Sequence, residues 1–179
     1  MILLFSLFLF LLPKSALSAD LDACPQNLIQ NNQKKFLSVQ GNTCFLFVTS
    51  HRVIYDDAVA QCRTDNGTLA MPKTKDLNTF LLQEMRNLSL TEDMWIGMNQ
   101  RQGGKMLWED GTEVEDWGNF VDSAQDIRFL GGIINFGNGK HCVALNPKDG
   151  LWHDHRCLRR FLIRDAKLPY ICQYVTETD

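Results

Sequence analysis

The chain has 179 residues, 22% of them charged, and a formal net charge of −3 at pH 7, with a pI near 5.8. A chain with this balance lacks the overall positive charge that draws proteins to nucleic acid, and its basic cluster at 156–160 is typical of a solvated face. These values exclude nucleic acid as an expected partner. The length is that of a single domain with a real hydrophobic core.

The amino end predicts export from the cell. Residues 2–12 are strongly apolar, but they are too few to cross a hydrocarbon core of ~30 Å, which needs about 20 residues. Ala16 to Ser18 has the small-x-small spacing of a signal peptidase site. We therefore predict a signal peptide at 1–18 and a secreted, extracellular product without a transmembrane segment.

Cysteines and glycosylation sequons fit the same compartment. Six cysteines are present: Cys24, Cys44, Cys62, Cys142, Cys157 and Cys172. In an oxidising compartment an even number indicates disulfides, although six cysteines allow about 15 pairings and the residues alone do not choose among them. Asn66 and Asn87 each open an Asn-x-Ser/Thr sequence, and we predict N-glycosylation at both.

The first half of the chain predicts a short polar segment followed by a domain. Residues 19–35 are rich in Asn and Gln, and we expect a short tail or an extended segment tied down only by its cysteine. The domain is predicted at 36–175. Aromatic and β-branched residues at 44–48 indicate a strand. Apolar residues recur with helical spacing over 53–62, and the Asn66-Gly67 pair predicts the turn that ends this helix.

The second half predicts one more helix, several short strands and a long loop. Pro72 to Met85 has the apolar spacing of a helix, with the proline in its first turn. An Asp-Gly turn is expected at 109–112, and residues 116–140 show no clear period. Five short strands are predicted at 94–98, 106–108, 141–145, 151–155 and 169–175. Two helices, short strands and one long loop indicate an α+β domain.

A set of motifs in fixed order resembles the C-type lectin-like domain. These motifs lie between Cys44 and Val175 and combine a cysteine frame with a Trp-Ile-Gly strand. They are Gly67-Thr68-Leu69-Ala70, Trp95-Ile96-Gly97-Met98, Trp108-Glu109-Asp110-Gly111-Thr112, Trp117, Cys142-Val143, Trp152-His153-Asp154, Cys157 and Tyr170-Ile171-Cys172. The resemblance implies a disulfide-stabilised C-type lectin-like fold of two helices, short antiparallel strands and a long loop.

The resemblance also implies disulfide pairings that spacing cannot provide. Cys62–Cys172 would tie the first helix to the last strand, and Cys142–Cys157 would bracket the end of the long loop. Cys24–Cys44 would be the additional amino-terminal bridge of longer members. Its spacing is wide for that bridge, which leaves a free or intermolecular Cys24 open.

The calcium site of sugar-binding members is altered in this sequence. In those members Ca²⁺ is held by a Glu-Pro-Asn or Gln-Pro-Asp triplet, a Glu shortly before the cysteine, and the Asn and Asp of a Trp-Asn-Asp triplet. Here no proline lies between Trp117 and Cys142, Lys140 falls on or beside the Glu position, and His153 replaces the Asn. Only Asp154 is retained. Because Ca²⁺ takes about six to eight oxygen ligands, the usual calcium-dependent sugar site is expected to be absent.

The leading hypothesis is a secreted C-type lectin-like binding protein without enzymatic activity and without a required cofactor. Its glycan or protein ligand is expected at a face formed by Lys140, His141, His153 and Asp154. A role in innate recognition follows only by analogy with the family. The long loop contains an apolar stretch, 127–136, which we expect to pack back against the domain.

Two alternatives stay open. The first is a calcium-dependent lectin that uses other carboxylates, drawn from Glu109, Asp110, Glu113, Glu115, Asp116, Asp122 and Asp126. The second is a zinc-binding protein or hydrolase that uses His141, His153 and His155, since Zn²⁺ prefers nitrogen ligands. On a strand His153 and His155 share a face and Asp154 points away. No HExxH motif accompanies them.

Overall fold

A computed structural model of the chain describes residue 21 and residues 24–31, 36–100, 105–114, 141–156 and 166–175. The predicted signal peptide and the long loop at 116–140 lie outside these ranges, as do Trp117, Lys140 and Cys157. Within the described residues no helix combines the length and the apolar character that crossing a bilayer requires.

The described residues form three helices and an eight-stranded sheet. The helices are α1 (Gln26–Gln30), α2 (Tyr55–Arg63) and α3 (Lys75–Asn87). The strands are β1 (Leu37–Gln40), β2 (Thr43–Val53), β3 (Thr68–Leu69), β4 (Met94–Asn99), β5 (Leu107–Trp108), β6 (His141–Leu145), β7 (Trp152–Arg156) and β8 (Leu168–Val175). This is the predicted α+β class, and the strands expected from the sequence are present.

The sheet order is β1-β2-β8-β4-β6-β7, with β3 paired to β8 and β5 paired to β4. All of these pairs are antiparallel except β4 with β8, where Trp95 lies opposite Tyr170. The antiparallel β6–β7 pair forms a hairpin at one end of this order. Strand β7 therefore has a single neighbouring strand among the described residues.

The sheet separates two hydrophobic cores, because successive side chains of a strand point to opposite faces. In β2, Cys44 and Leu46 belong to the core under α2. Phe45 and Phe47 of the same strand belong to the core under α3. The strand predicted at 44–48 thus contributes side chains to both cores.

The helix ends follow local capping chemistry. Helix α3 was expected from Pro72 but begins at Lys75, because the Thr74 hydroxyl accepts a hydrogen bond from the Leu77 amide at 3.2 Å and caps it there. Helix α2 ends as predicted, in a turn where Asn66 adopts a left-handed φ of 60°. The next residue, Gly67, lies against β8, where a Cβ atom would meet Tyr174 Cε1 at 2.5 Å.

The expectation of an extended segment at 19–35 is wrong for its described part. Gln26–Gln30 form helix α1, and Leu28 is buried in the core under α2. The Asn27 amide donates to Asp65 at 2.6 Å. The burial of Leu28 therefore stabilises a helix that the polar residues around it do not predict.

Two disulfides connect described residues, with the pairings that the resemblance implied. Cys24 bonds to Cys44 and Cys62 bonds to Cys172, so Cys24 is not free. Cys142 is also disulfide-bonded, and its expected partner Cys157 lies outside the described residues. The Cys62–Cys172 bond fixes α2 to β8 within the sheet.

Candidate functional site

The β6–β7 hairpin brings His141 and Asp154 into contact. In its register Val143 lies opposite Asp154 and His141 lies opposite Arg156, so His141 and Asp154 are diagonal neighbours on one face. His141 Nδ1 lies 2.7 Å from Oδ2 and 2.9 Å from Oδ1 of Asp154. The carboxylate of Asp154, which matches a calcium ligand in sugar-binding members, therefore contacts the imidazole of His141 in the same hairpin.

His153 and His155 lie on the opposite face of β7 and share one carboxylate, that of Asp93. His153 Nδ1 is 2.8 Å from Asp93 Oδ2, and His155 Nε2 is 3.0 Å from the same oxygen. The edge of the His155 ring also contacts Trp95, with ring centroids 5.2 Å apart. The prediction that these two histidines share a face is confirmed.

The turn between β6 and β7 completes this cluster. The Asn146 amide donates to Asp93 Oδ1 at 2.6 Å, and Asp149 Oδ2 lies 3.0 Å from His153 Nε2. Burial raises the pKa of the Asp93 carboxyl, but the hydrogen bond from His155, the charge of His153 and the Asn146 amide together outweigh it. The pKa of Asp93 consequently lies below its ordinary value.

The sheet separates residues that the sequence placed in one site. The structure unites His141 with Asp154 on one face, and it places His153 on the other face with His155. Lys140, the fourth residue of the expected ligand face, lies outside the described residues. The three histidines therefore do not converge, and the alternative of a zinc site built from His141, His153 and His155 is wrong. Among the described residues no three His, Cys, Asp or Glu side chains form a group that could hold a metal ion.

The described loop carboxylates of the calcium alternative are bonded to other side chains. Their contacts are Glu109 with Tyr55 at 3.0 Å and Asn99 at 2.8 Å, Asp110 with Lys73, and Glu113 with Lys105 at 2.7 Å. The side chain of Glu109 is fully buried. Glu115, Asp116, Asp122 and Asp126 lie outside the described residues. The described carboxylates thus stabilise the β4–β5 region.

Sequence reasoning missed Asp93, Asn146 and Asp149. Asp93 sits just before a strand that was predicted, but no local pattern marks it as a partner of residues about 60 positions later. The segment 146–150 reads Asn-Pro-Lys-Asp-Gly, which is a turn signal. That signal predicts a tight hairpin and so could have placed Asp149 beside His153.

The fold and its disulfides are those of a C-type lectin-like domain, and comparisons with known proteins agree. Residues 51–174 match the model of the lectin C-type domain. Human tetranectin is 28% identical over 137 residues, which are 73% of this chain and 59% of tetranectin. Perlucin from Haliotis laevigata is 25% identical over 152 residues, 82% of this chain and 86% of perlucin. The chain thus spans about three fifths of the length of tetranectin.

Solved structures share the fold at lower identity. Human lithostathine superposes with a TM-score of 0.60 at 20% identity, covering 92% of this chain and 96% of lithostathine. This chain belongs to the C-type lectin domain family, because the family model matches most of its length. C-type lectin domains are binding domains for glycans or proteins, and the family is not an enzyme family.

Proposed function

We propose that this protein is an extracellular C-type lectin-like binding protein that recognises a glycan or a protein at the end of the β6–β7 hairpin where β6 begins at His141. It does so without the usual calcium-dependent sugar site and without catalysis. The observation that carries the proposal is the contact between His141 and Asp154. The one family calcium ligand that this sequence retains is engaged on both carboxylate oxygens.

The chemistry of this end of the hairpin disfavours Ca²⁺. To reach Asp154 the ion would have to displace the His141 imidazole. In the sequence, Lys140 and His153 stand at or beside positions where sugar-binding members have oxygen ligands. Ca²⁺ binds hard oxygen ligands, several of them anionic. A single carboxylate in contact with an imidazole does not supply them.

The same residues suit hydrogen bonding to an uncharged ligand. An imidazole and a carboxylate offer both donors and acceptors, as sugar hydroxyls and peptide amides require. Extracellular location is supported by the predicted signal peptide and by the disulfides within the domain. Asn66 and Asn87, the predicted glycosylation positions, are both solvent-exposed.

A glycan array read with and without chelator tests the proposal. We expect any glycan signal to survive the chelator and to fall in an Asp154→Asn variant. Asp110→Asn is the matched control, because Asp110 is bonded to Lys73 and Thr112 in a different loop, and we expect it to bind as the wild type does. Sugar binding that disappears with chelator would contradict the proposal and favour a calcium site built from carboxylates of the long loop.

A further inference from the structure

The residues around Asp93 form a second polar cluster on the face of the sheet opposite the His141–Asp154 pair. We call the set Asp93, Asn146, Asp149, His153 and His155 the Asp93 cluster. It joins the loop before β4, the β6–β7 turn and the strand β7. Asp93 side-chain atoms are 14% exposed and those of Asp149 are 42% exposed. The cluster thus has an inner carboxylate and an outer one.

The Asp93 cluster reaches across the sheet. Asp93 precedes β4, and β6 lies between β4 and β7, so the contact spans about two interstrand spacings of ~4.8 Å. The residue of β6 that lies opposite both Trp95 and His153 is Ala144, which is fully buried. Its small side chain leaves room for the carboxylate and imidazole to meet above it.

The two histidines bracket Asp154 along the strand. Since side chains of a strand alternate, His153 and His155 point to one face and Asp154 to the other. Both imidazoles are held by the same oxygen of Asp93. Fixing the neighbours on either side of Asp154 fixes the backbone that directs its side chain. This attachment matters because β7 has only β6 as a strand neighbour among the described residues.

The His153 ring is held from two sides. Its Nδ1 lies 2.8 Å from Asp93 Oδ2, and its Nε2 lies 3.0 Å from Asp149 Oδ2. Asp93 belongs to the loop before β4 and Asp149 to the β6–β7 turn, so the two contacts fix the ring against both segments. Hydrogen bonds to a carboxylate are stronger than those between neutral groups. The arrangement therefore holds this part of β7 in one position.

We propose that Asp93 is a positioning residue for the candidate binding site: it holds β7 through His153 and His155 and thereby orients Asp154 toward His141. This role of Asp93 rests on the proposed function, because it concerns the same binding site. The orientation of Asp154 can be measured without any ligand, so the positioning role and the proposed function can fail separately.

The test is nuclear magnetic resonance of the histidine rings in the disulfide-intact protein at one fixed pH near 6.5. In the wild type we expect the ring protons of His153 and His155 that face Asp93 to exchange slowly with water. The ring proton between His141 and Asp154 should exchange slowly as well. In Asp93→Asn both histidines of β7 lose their charged acceptor, so we expect their ring protons to lose this protection. We expect the His141 ring proton to exchange at least about tenfold faster, the smallest change that loss of a hydrogen bond to a charged group predicts.

Two matched variants separate positioning from general loss of stability. Asp149→Asn removes only the outer carboxylate, and we expect the His141 ring proton to keep its wild-type exchange rate. Asp110→Asn removes a carboxylate that is bonded to Lys73 and Thr112 and does not belong to the Asp93 cluster, and it should change neither His141 nor His153. An unchanged His141 signature in Asp93→Asn would overturn the proposal. Stoichiometric binding of Zn²⁺ that is lost in Asp93→Asn would also overturn it, because a metal needs a lone pair on the ring nitrogens that, in the proposal, donate N–H groups to Asp93.

Discussion

Replacing Trp152 by alanine tests the placement of the Trp-His-Asp triplet, since the same three residues carry both the core and the candidate site. The indole of Trp152 is 1% exposed in the core under α3. It donates to Asn78 of that helix at 2.8 Å and meets the ring of Trp108 edge-on, with centroids 5.9 Å apart. The side chain therefore anchors β7 to α3, while Asp154, two residues further along the same face, belongs to the candidate site.

The size of the loss follows from this burial. An aromatic side chain buries about 150–250 Å², which at ~25 cal/mol per Å² corresponds to about 4–6 kcal/mol. This is an upper bound, because the unfolded chain already buries part of that area. Replacements of core Trp by Ala cost about 3–5 kcal/mol. We expect a decrease of about 4 kcal/mol in the free energy of unfolding for Trp152→Ala.

The measurement is urea unfolding followed by far-ultraviolet circular dichroism under non-reducing conditions. Val175→Ala is the control, because that side chain is 65% exposed at the end of β8, and we expect a change within about 0.5 kcal/mol. A loss below about 1.5 kcal/mol for Trp152→Ala, with an unchanged m-value, would refute the placement of this indole in the core.

Two further predictions concern the disulfides and acid. Removing the bond of sequence separation 110 by Cys62→Ala with Cys172→Ala should cost about 4–5 kcal/mol, and removing the bond of separation 20 by Cys24→Ala with Cys44→Ala about 3 kcal/mol. Equal losses in thermal or urea unfolding would contradict this order. Folding lowers the pKa of Asp93 from its ordinary value of 3.8. The ionised carboxylate therefore stabilises the folded protein above pH 3.8, and this stabilisation is lost as the pH falls through the lower pKa of the folded state. Asp93→Asn should therefore flatten the decline of stability below about pH 4, and an unaltered acid limb would count against this.

Local patterns predicted the elements that carry strong periodicity. The apolar stripe of α2 and the strand at 141–145 were both found where the sequence indicated them. Helix α1 was not predictable in this way, because five residues rich in Asn and Gln carry no helical stripe. It forms because Leu28 is buried and the adjacent Cys24 is covalently fixed, and such tertiary effects override weak local propensity.

The sequence named His141, His153 and Asp154 as residues of the ligand face, which stays a prediction, and it gave their arrangement only in part. Alternation along one strand was enough to place His153 and His155 on a common face. The face of His141 depends on the register between β6 and β7, in which Leu145 lies opposite Trp152. A register is set by turn geometry and core burial together, and a change of one residue reverses the faces. The partnership of Asp93 with His153 depends on the same register.

Calorimetric titration of the purified protein with Ca²⁺ tests our proposal that this C-type lectin domain lacks the usual calcium-dependent sugar site. We expect no saturable binding up to about 1 mM Ca²⁺, the range in which extracellular calcium modules bind. Micromolar Ca²⁺ binding that is abolished by Asp154→Ala would contradict the account, because it would mean that the His141–Asp154 pair opens to a metal ion.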